Sequence, residues 1–136
     1  MKKLIILLAL ATLAGCSATP KLTDFDPPPN QQQISSANFG TLPANYQSQI
    51  EAFIKSRLLD PDSAKIEIGT PYKAYSQDNK AGGGKVRYGW AVPVRTNAKN
   101  AYGGYTGYQP SRFIFDAGVM YDVTLIYGLG HLVEVK

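Results

Sequence analysis

The chain is short of the residues that most chemistry requires. It has 136 residues, with one cysteine and one histidine. A single cysteine excludes an internal disulfide, a Cys-X-X-Cys redox pair and a thiolate metal cluster. A single histidine, His131, leaves no His-rich metal site. A Ser63–His131–Asp triad is conceivable from composition, but no Gly-x-Ser-x-Gly elbow accompanies it. The sequence therefore nominates no catalytic residue, no metal ligand and no cofactor. Charge of one sign is also scarce: 14 Lys and Arg stand against 10 Asp and Glu. Such a balance offers no basic stripe for nucleic acid. No apolar run approaches the roughly 20 residues of a membrane-spanning helix. There is no βαβ rhythm and no internal repeat.

The longest apolar run lies at the start. Met1-Lys2-Lys3 forms a positive segment, Leu4 to Leu13 an apolar one of about ten residues, and small residues precede Cys16. That is the layout of a signal peptide over residues 1–15. Leu13-Ala14-Gly15-Cys16 resembles the lipobox of bacterial lipoproteins. The resemblance implies cleavage before Cys16, a thioether-linked diacylglycerol on its sulfur and an amide-linked acyl chain on its nitrogen. It also accounts for the lone cysteine of an exported chain. Loss of Lys2 and Lys3 leaves 12 basic residues against 10 acidic ones, a formal charge of +2. Ser17 follows Cys16, where an aspartate in enterobacterial-type lipoproteins favours the inner membrane. The expected address is the periplasmic side of the outer membrane, with the inner membrane and the cell surface as alternatives.

Residues 16–42 read as a flexible tether. Pro27-Pro28-Pro29, Asn30-Gln31-Gln32-Gln33 and Ser35-Ser36 carry few apolar side chains and no period, a composition that buries too little surface to offset chain entropy. About 25 extended residues would reach on the order of 80 Å. The globular domain is expected over residues 43–136. Tyr46, Ile50, Phe53, Ile54 and Leu58 follow helical spacing and predict one amphipathic helix over residues 44–59. Glu51 and Lys55 pair on its other side. Asp60-Pro61-Asp62-Ser63-Ala64 supplies a turn with capping chemistry. Lys65 to Ile68 alternates as a strand broken at Gly69, with Tyr72 to Tyr75 as its continuation.

The clearest strand follows. Val86, Tyr88, Trp90, Val92 and Val94 recur at period two, while Arg87, Gly89, Ala91, Pro93 and Arg95 face the other way, toward water. Pro93 lacks an N–H and marks an edge or a bulge. Arg112 to Phe115 and Val119 to Leu125 are further strands around an Asp116-Ala117-Gly118 turn. Gly128-Leu129-Gly130 makes a break, and residues 131–136 form a short last strand. The fold class expected is α+β: one amphipathic helix at the start of the domain, packed on a four- to five-stranded antiparallel sheet. A small open β-barrel plugged by the helix is the alternative.

Two stretches invite a binding reading. Gly82-Gly83-Gly84-Lys85 has the wrong spacing for a phosphate loop and precedes a strand, so it reads as a hairpin loop. The stretch 97–108 sets Tyr102, Tyr105 and Tyr108 among Gly103, Gly104 and Gly107, next to Lys99 and Asn100. Tyrosine offers a flat apolar face and a hydroxyl at low entropic cost, which suits recognition. Lys99, Asn100, Tyr102, Tyr105 and Tyr108 are thus the candidate contact residues for an envelope protein or peptidoglycan. The alternative is that the tyrosines fold back onto the sheet. Asp60-Pro61-x-Ser63-Ala64-Lys65, Gly89-Trp90 and Asn97-Ala98-Lys99-Asn100-x-Tyr102-Gly103-Gly104-Tyr105-Thr106-Gly107 resemble a family of small bacterial envelope proteins, mostly lipoproteins, over residues 46–119. The resemblance implies a shared domain and brings no activity with it. Pro93-Val94-Arg95 stands where members often carry a cysteine, which removes a redox role. The expected function is a membrane-anchored, non-catalytic binding or assembly module of the cell envelope. An inhibitor or immunity-type lipoprotein against a periplasmic hydrolase is the alternative, and a hydrolase using Ser63 or His131 the third reading.

Overall fold

A computed structural model of the chain describes residues 18, 19, 21–127 and 131–136. The signal segment, Cys16 with its lipobox, and the Gly128-Leu129-Gly130 break lie outside the described residues. The fold is α+β, with an antiparallel sheet of six strands rather than four or five. The strands are β1 (Lys65–Ile68), β2 (Tyr72–Gln77), β3 (Val86–Asn97), β4 (Gln109–Asp116), β5 (Val119–Asp122) and β6 (Leu132–Glu134). Helices are α1 (Gln31–Ser35), α2 (Tyr46–Lys55) and α3 (Thr124–Tyr127). The sheet runs β5-β4-β3-β2-β6, and β1 pairs with β3 beyond the end of β2. β5 and β6 are its two edges, so it is an open sheet and not a barrel.

β3 is the spine. Its first half pairs with β2 and its second half with β1, while β4 runs along its other side from Trp90↔Phe115 to Thr96↔Gln109. Between Ile68↔Val94 and Tyr72↔Ala91 three residues, 69–71, face two, which is a one-residue bulge. The Pro93 carbonyl accepts from Gly69 N–H at 2.8 Å, so the nitrogen that lacks a proton faces the bulge. A side chain at Gly69 would meet the Pro93 ring at 2.8 Å. Pro93 is thereby tolerated in the middle of a sheet because the bulge lies where its N–H would be needed.

The even-numbered face of β3 is apolar from Val86 to Val94, and two separate elements cover it. α2 covers one half: Ile50 and Ile54 pack with Val92, Val94, Phe113 and Phe115, flanked by Leu42, Tyr46, Phe53, Ile66 and Met120. A ten-residue helix is about 15 Å long, which leaves Tyr75, Tyr88 and Trp90 uncovered. Residues 21–42 cover them, and the expectation of a structureless tether is corrected there. Phe39 meets Tyr88 edge-on at 5.9 Å, and Trp90 Nε1–H donates to the Gly40 carbonyl at 3.1 Å. The buried Gln77 amide donates to the Asp26 and Pro27 carbonyls at 3.0 and 3.3 Å. Asn79 and Lys80 bind the Leu22 and Asp24 carbonyls at 3.1 and 2.7 Å. α1 starts with a complete capping box between Asn30 and Gln33. Three prolines reduce the entropy lost on ordering this segment, and the aromatic half of β3 supplies a surface to order against.

The opposite face corrects a second expectation. Ala91, expected to face water, is buried, together with its neighbours Ala74, Ser76 and Ile114. β5 and β6 lie at opposite edges, and α3, which follows β5, contacts both β4 and β2. At Gly89 it is the backbone of β4 that lies close, where a Cβ would collide with the Phe115 carbonyl. The stretch expected as strand to Leu125 stops at Asp122, whose carboxylate accepts from Thr124 N–H and Oγ–H at 3.0 and 2.6 Å. That local bond turns the chain into α3. At the β4–β5 hairpin, Ala117 and Gly118 have φ of 49° and 82°, the two left-handed residues of a tight turn.

Candidate functional site

The stretch 97–108 is an ordered extension of the β3–β4 hairpin, not a loose loop. Lys99 and Tyr105 form a β-bridge, and Thr106 N–H donates to the Ala98 carbonyl at 3.4 Å. The two asparagines act on the backbone. Asn97 Oδ1 accepts from Gly107 N–H at 3.1 Å. Asn100 Oδ1 accepts from Tyr102 N–H at 2.9 Å and Gly104 N–H at 3.1 Å. Asn100 N–H donates in turn to the Gly104 carbonyl at 2.8 Å. Gly103 and Gly107 take φ of 79° and 90°, which glycine adopts without a Cβ penalty. Asparagine carboxamides that mimic backbone turns hold such a tip without burial.

The five candidate contact residues separate into different roles. Tyr102 stands at the tip, 97% exposed. Tyr105 and Tyr108 are 44% and 37% exposed and lie against β1. Tyr105 O–H donates to the Ser63 carbonyl at 3.1 Å, with Lys65 Nζ 4.5 Å and Lys99 Nζ 5.7 Å from its ring centre. Tyr108 hydrogen-bonds to Glu67, which raises its pKa above the usual 10.0, while Arg95, 4.6 Å from its ring, pulls the other way. Asn100 is committed to the turn. Tyr102 thus combines full exposure with a fixed backbone. Tyr105 and Tyr108 do lean back toward the sheet, as the second sequence reading had it, but they keep one third or more of their surface in water.

Sequence reasoning missed the residues that clamp this hairpin. Ser63 holds it twice, since its hydroxyl also accepts from Lys99 N–H at 3.0 Å. Asp60 Oδ1 accepts from Ser63 N–H at 3.2 Å and so fixes the clamp. Lys65, Glu67 and Arg95 complete a row of charges along the tyrosines. The register Glu67↔Arg95 was the available signal, because alternate residues of two paired strands share a face. On the other side of the hairpin a cleft of about 240 Å³ opens toward α2. Phe53, Leu58 and Phe113 give it an apolar wall, and Thr96, Thr106 and Gln109 a polar one.

Ser63 and His131 do not meet. Ser63 clamps the hairpin at the Asn97 end of β3. His131 accepts through its carbonyl from Gln77, which pairs with Val86 at the other end, and its ring stacks on Phe25 at 3.3 Å. The glycine-rich turn at 82–84 is held by Asn79 and lies beside Asp26 of the covering segment. Among the described residues no three His, Cys, Asp or Glu cluster as a metal site would require, and no helix is long and apolar enough to cross a membrane. No family model, curated protein or solved structure matches the chain.

Proposed function

We propose that this chain is a bacterial lipoprotein, held through acylated Cys16 on the periplasmic side of the outer membrane. It serves as a non-catalytic binding or assembly module whose contact surface is the tyrosine hairpin. One observation carries the binding part: Tyr102 is almost wholly exposed, yet its own N–H is fixed by Asn100 Oδ1 at 2.9 Å. An aromatic ring on a preorganised tip loses little entropy when it meets a partner. Tyr105 and Tyr108 widen that surface, with Lys65, Lys99 and Arg95 as polar rim. The anchoring part rests on the resemblance of Leu13-Ala14-Gly15-Cys16 to a lipobox.

The experiment separates tip from support. Tyr102→Ala removes the exposed ring and touches no tertiary contact, so the variant folds with unchanged melting and loses co-purification of its envelope partner or peptidoglycan. Tyr105→Ala also releases the Ser63 clamp and loosens the hairpin. Undiminished recovery of the same partner with Tyr102→Ala would reject the hairpin tip as the contact surface.

A further inference from the structure

We infer that the clasping of residues 21–40 onto the sheet leaves only a short leash between Cys16 and Leu22, which sets the domain's orientation, with the pole at 78–85 against the membrane and the tyrosine hairpin directed away from it. The inference rests on acylation of Cys16 as proposed above. Its partner is the lipid surface itself, and chain length sets how closely the domain approaches it. The first clasps on the covering segment are Asn79 Nδ2–H to the Leu22 carbonyl and Lys80 N–H to the Asp24 carbonyl, at 3.1 and 2.7 Å. Both lie at the loop between β2 and β3. Cys16 and Leu22 are six residue steps apart, which span at most about 20 Å. A free tether to residue 42 would instead reach on the order of 80 Å. Folding residues 21–40 onto the sheet therefore draws that loop to the bilayer.

The same spine carries the hairpin away. β3 begins at Val86, beside the anchored loop, and ends at Asn97, where the hairpin begins. Eleven residue steps of an extended strand cover roughly 36 Å. With one pole leashed within about 20 Å of the headgroups, the tip at Tyr102 points outward and meets a partner some distance from the anchoring leaflet. Charge contributes little to this orientation. At the anchored pole Lys80 faces Asp26 at 3.8 Å and Arg87 faces Asp78 at 2.8 Å, which leaves Lys21 and Lys85 against Asp24, a small net excess of one positive charge. Leu22, an exposed large apolar side chain at 71%, lies at this pole, where its carbonyl accepts from Asn79. The orientation is thus mechanical and insensitive to salt.

The test uses the full lipidated chain in phosphatidylethanolamine–phosphatidylglycerol vesicles. Cys16 is the one native cysteine and is blocked by its lipid, so Lys85→Cys and Tyr102→Cys each accept a single fluorescent donor. Energy transfer to acceptor lipids is expected to be about threefold or more stronger from position 85 than from 102, given the separations above. The ratio should hold in 0.5 M salt. Twenty Gly and Ser residues inserted after Thr19 lengthen the leash without touching the fold and should bring the ratio toward one. Equal transfer from both positions, stronger transfer from 102, a ratio that collapses in salt, or no response to the insertion would each overturn the inference. A chain whose mass lacks the diacylglycerol, and that stays off the vesicles, would overturn the anchoring proposal instead and take the leash with it.

Discussion

Replacing Asn100 with alanine removes the acceptor that holds the hairpin tip. The lost bonds are those from Tyr102 N–H at 2.9 Å and Gly104 N–H at 3.1 Å. An intramolecular hydrogen bond contributes about 0.5–1.5 kcal/mol net. Both donors are exposed and water replaces the acceptor, so the lower end applies to each, about 1 kcal/mol together. That is about a fivefold rise in the open fraction of the tip. The stem remains clamped by Ser63 and by Asn97, so the loss stays local and the melting temperature barely moves. Native-state amide exchange reads this directly. Protection at Tyr102 and Gly104 should fall about fivefold, while amides within β3 and β4 are unchanged. Asn100→Asp keeps an acceptor oxygen and should retain protection. Unchanged exchange in Asn100→Ala would refute the account of how the tip is ordered. Loss of protection spreading along both strands would refute its independence from the sheet.

Other substitutions test the frame that carries the hairpin. A Cβ on Gly89 would collide with the carbonyl of Phe115, so Gly89→Ala should destabilise by about 1–3 kcal/mol and lower the melting temperature by several degrees. The reverse change at Ala117, whose φ is 49°, relieves a left-handed strain: Ala117→Gly should stabilise by about 1 kcal/mol in a denaturant titration. Tyr108 titrates above the usual tyrosine range because its hydroxyl donates a hydrogen bond to Glu67. Its contribution to stability is therefore complete below pH 10.0 and fades as pH rises through its higher folded value. In a phenolate absorbance titration Glu67→Gln should bring Tyr108 back toward ordinary behaviour, and Arg95→Gln should push it further up.

Much of the fold was legible because it follows from periodicity. The alternation from Val86 to Val94 marks β3, the spacing of Ile50, Phe53 and Ile54 marks α2, and Gly69 and Pro93 jointly announce the bulge. What stayed hidden depended on contacts between distant segments. Nothing local shows that the aromatic half of β3 lacks a helix above it, and that vacancy is what orders residues 21–40. The spacing of Asn30 and Gln33, and the isolated Phe25 and Phe39, were the faint signals there. Likewise Ala74, Ser76 and Ala91 look like surface residues, and only the packing of α3 against β4 and β2, set by distant parts of the chain, tells otherwise. In the candidate site the tyrosines stood out by composition, but their division into one free tip and two braced supports required Ser63 and Glu67, which belong to another strand and turn.

The central claim is that Tyr102 touches the partner. Its most direct test is a photo-crosslinking residue placed at position 102 of the full chain in living cells, with the same residue at Leu125 of α3 as control. Leu125 is 86% exposed and belongs to a different connection, the one that follows β5. The account predicts a discrete adduct with an envelope component from position 102 and none of that species from 125. No adduct at 102 in a correctly anchored protein, or the same adduct from both positions, would contradict it.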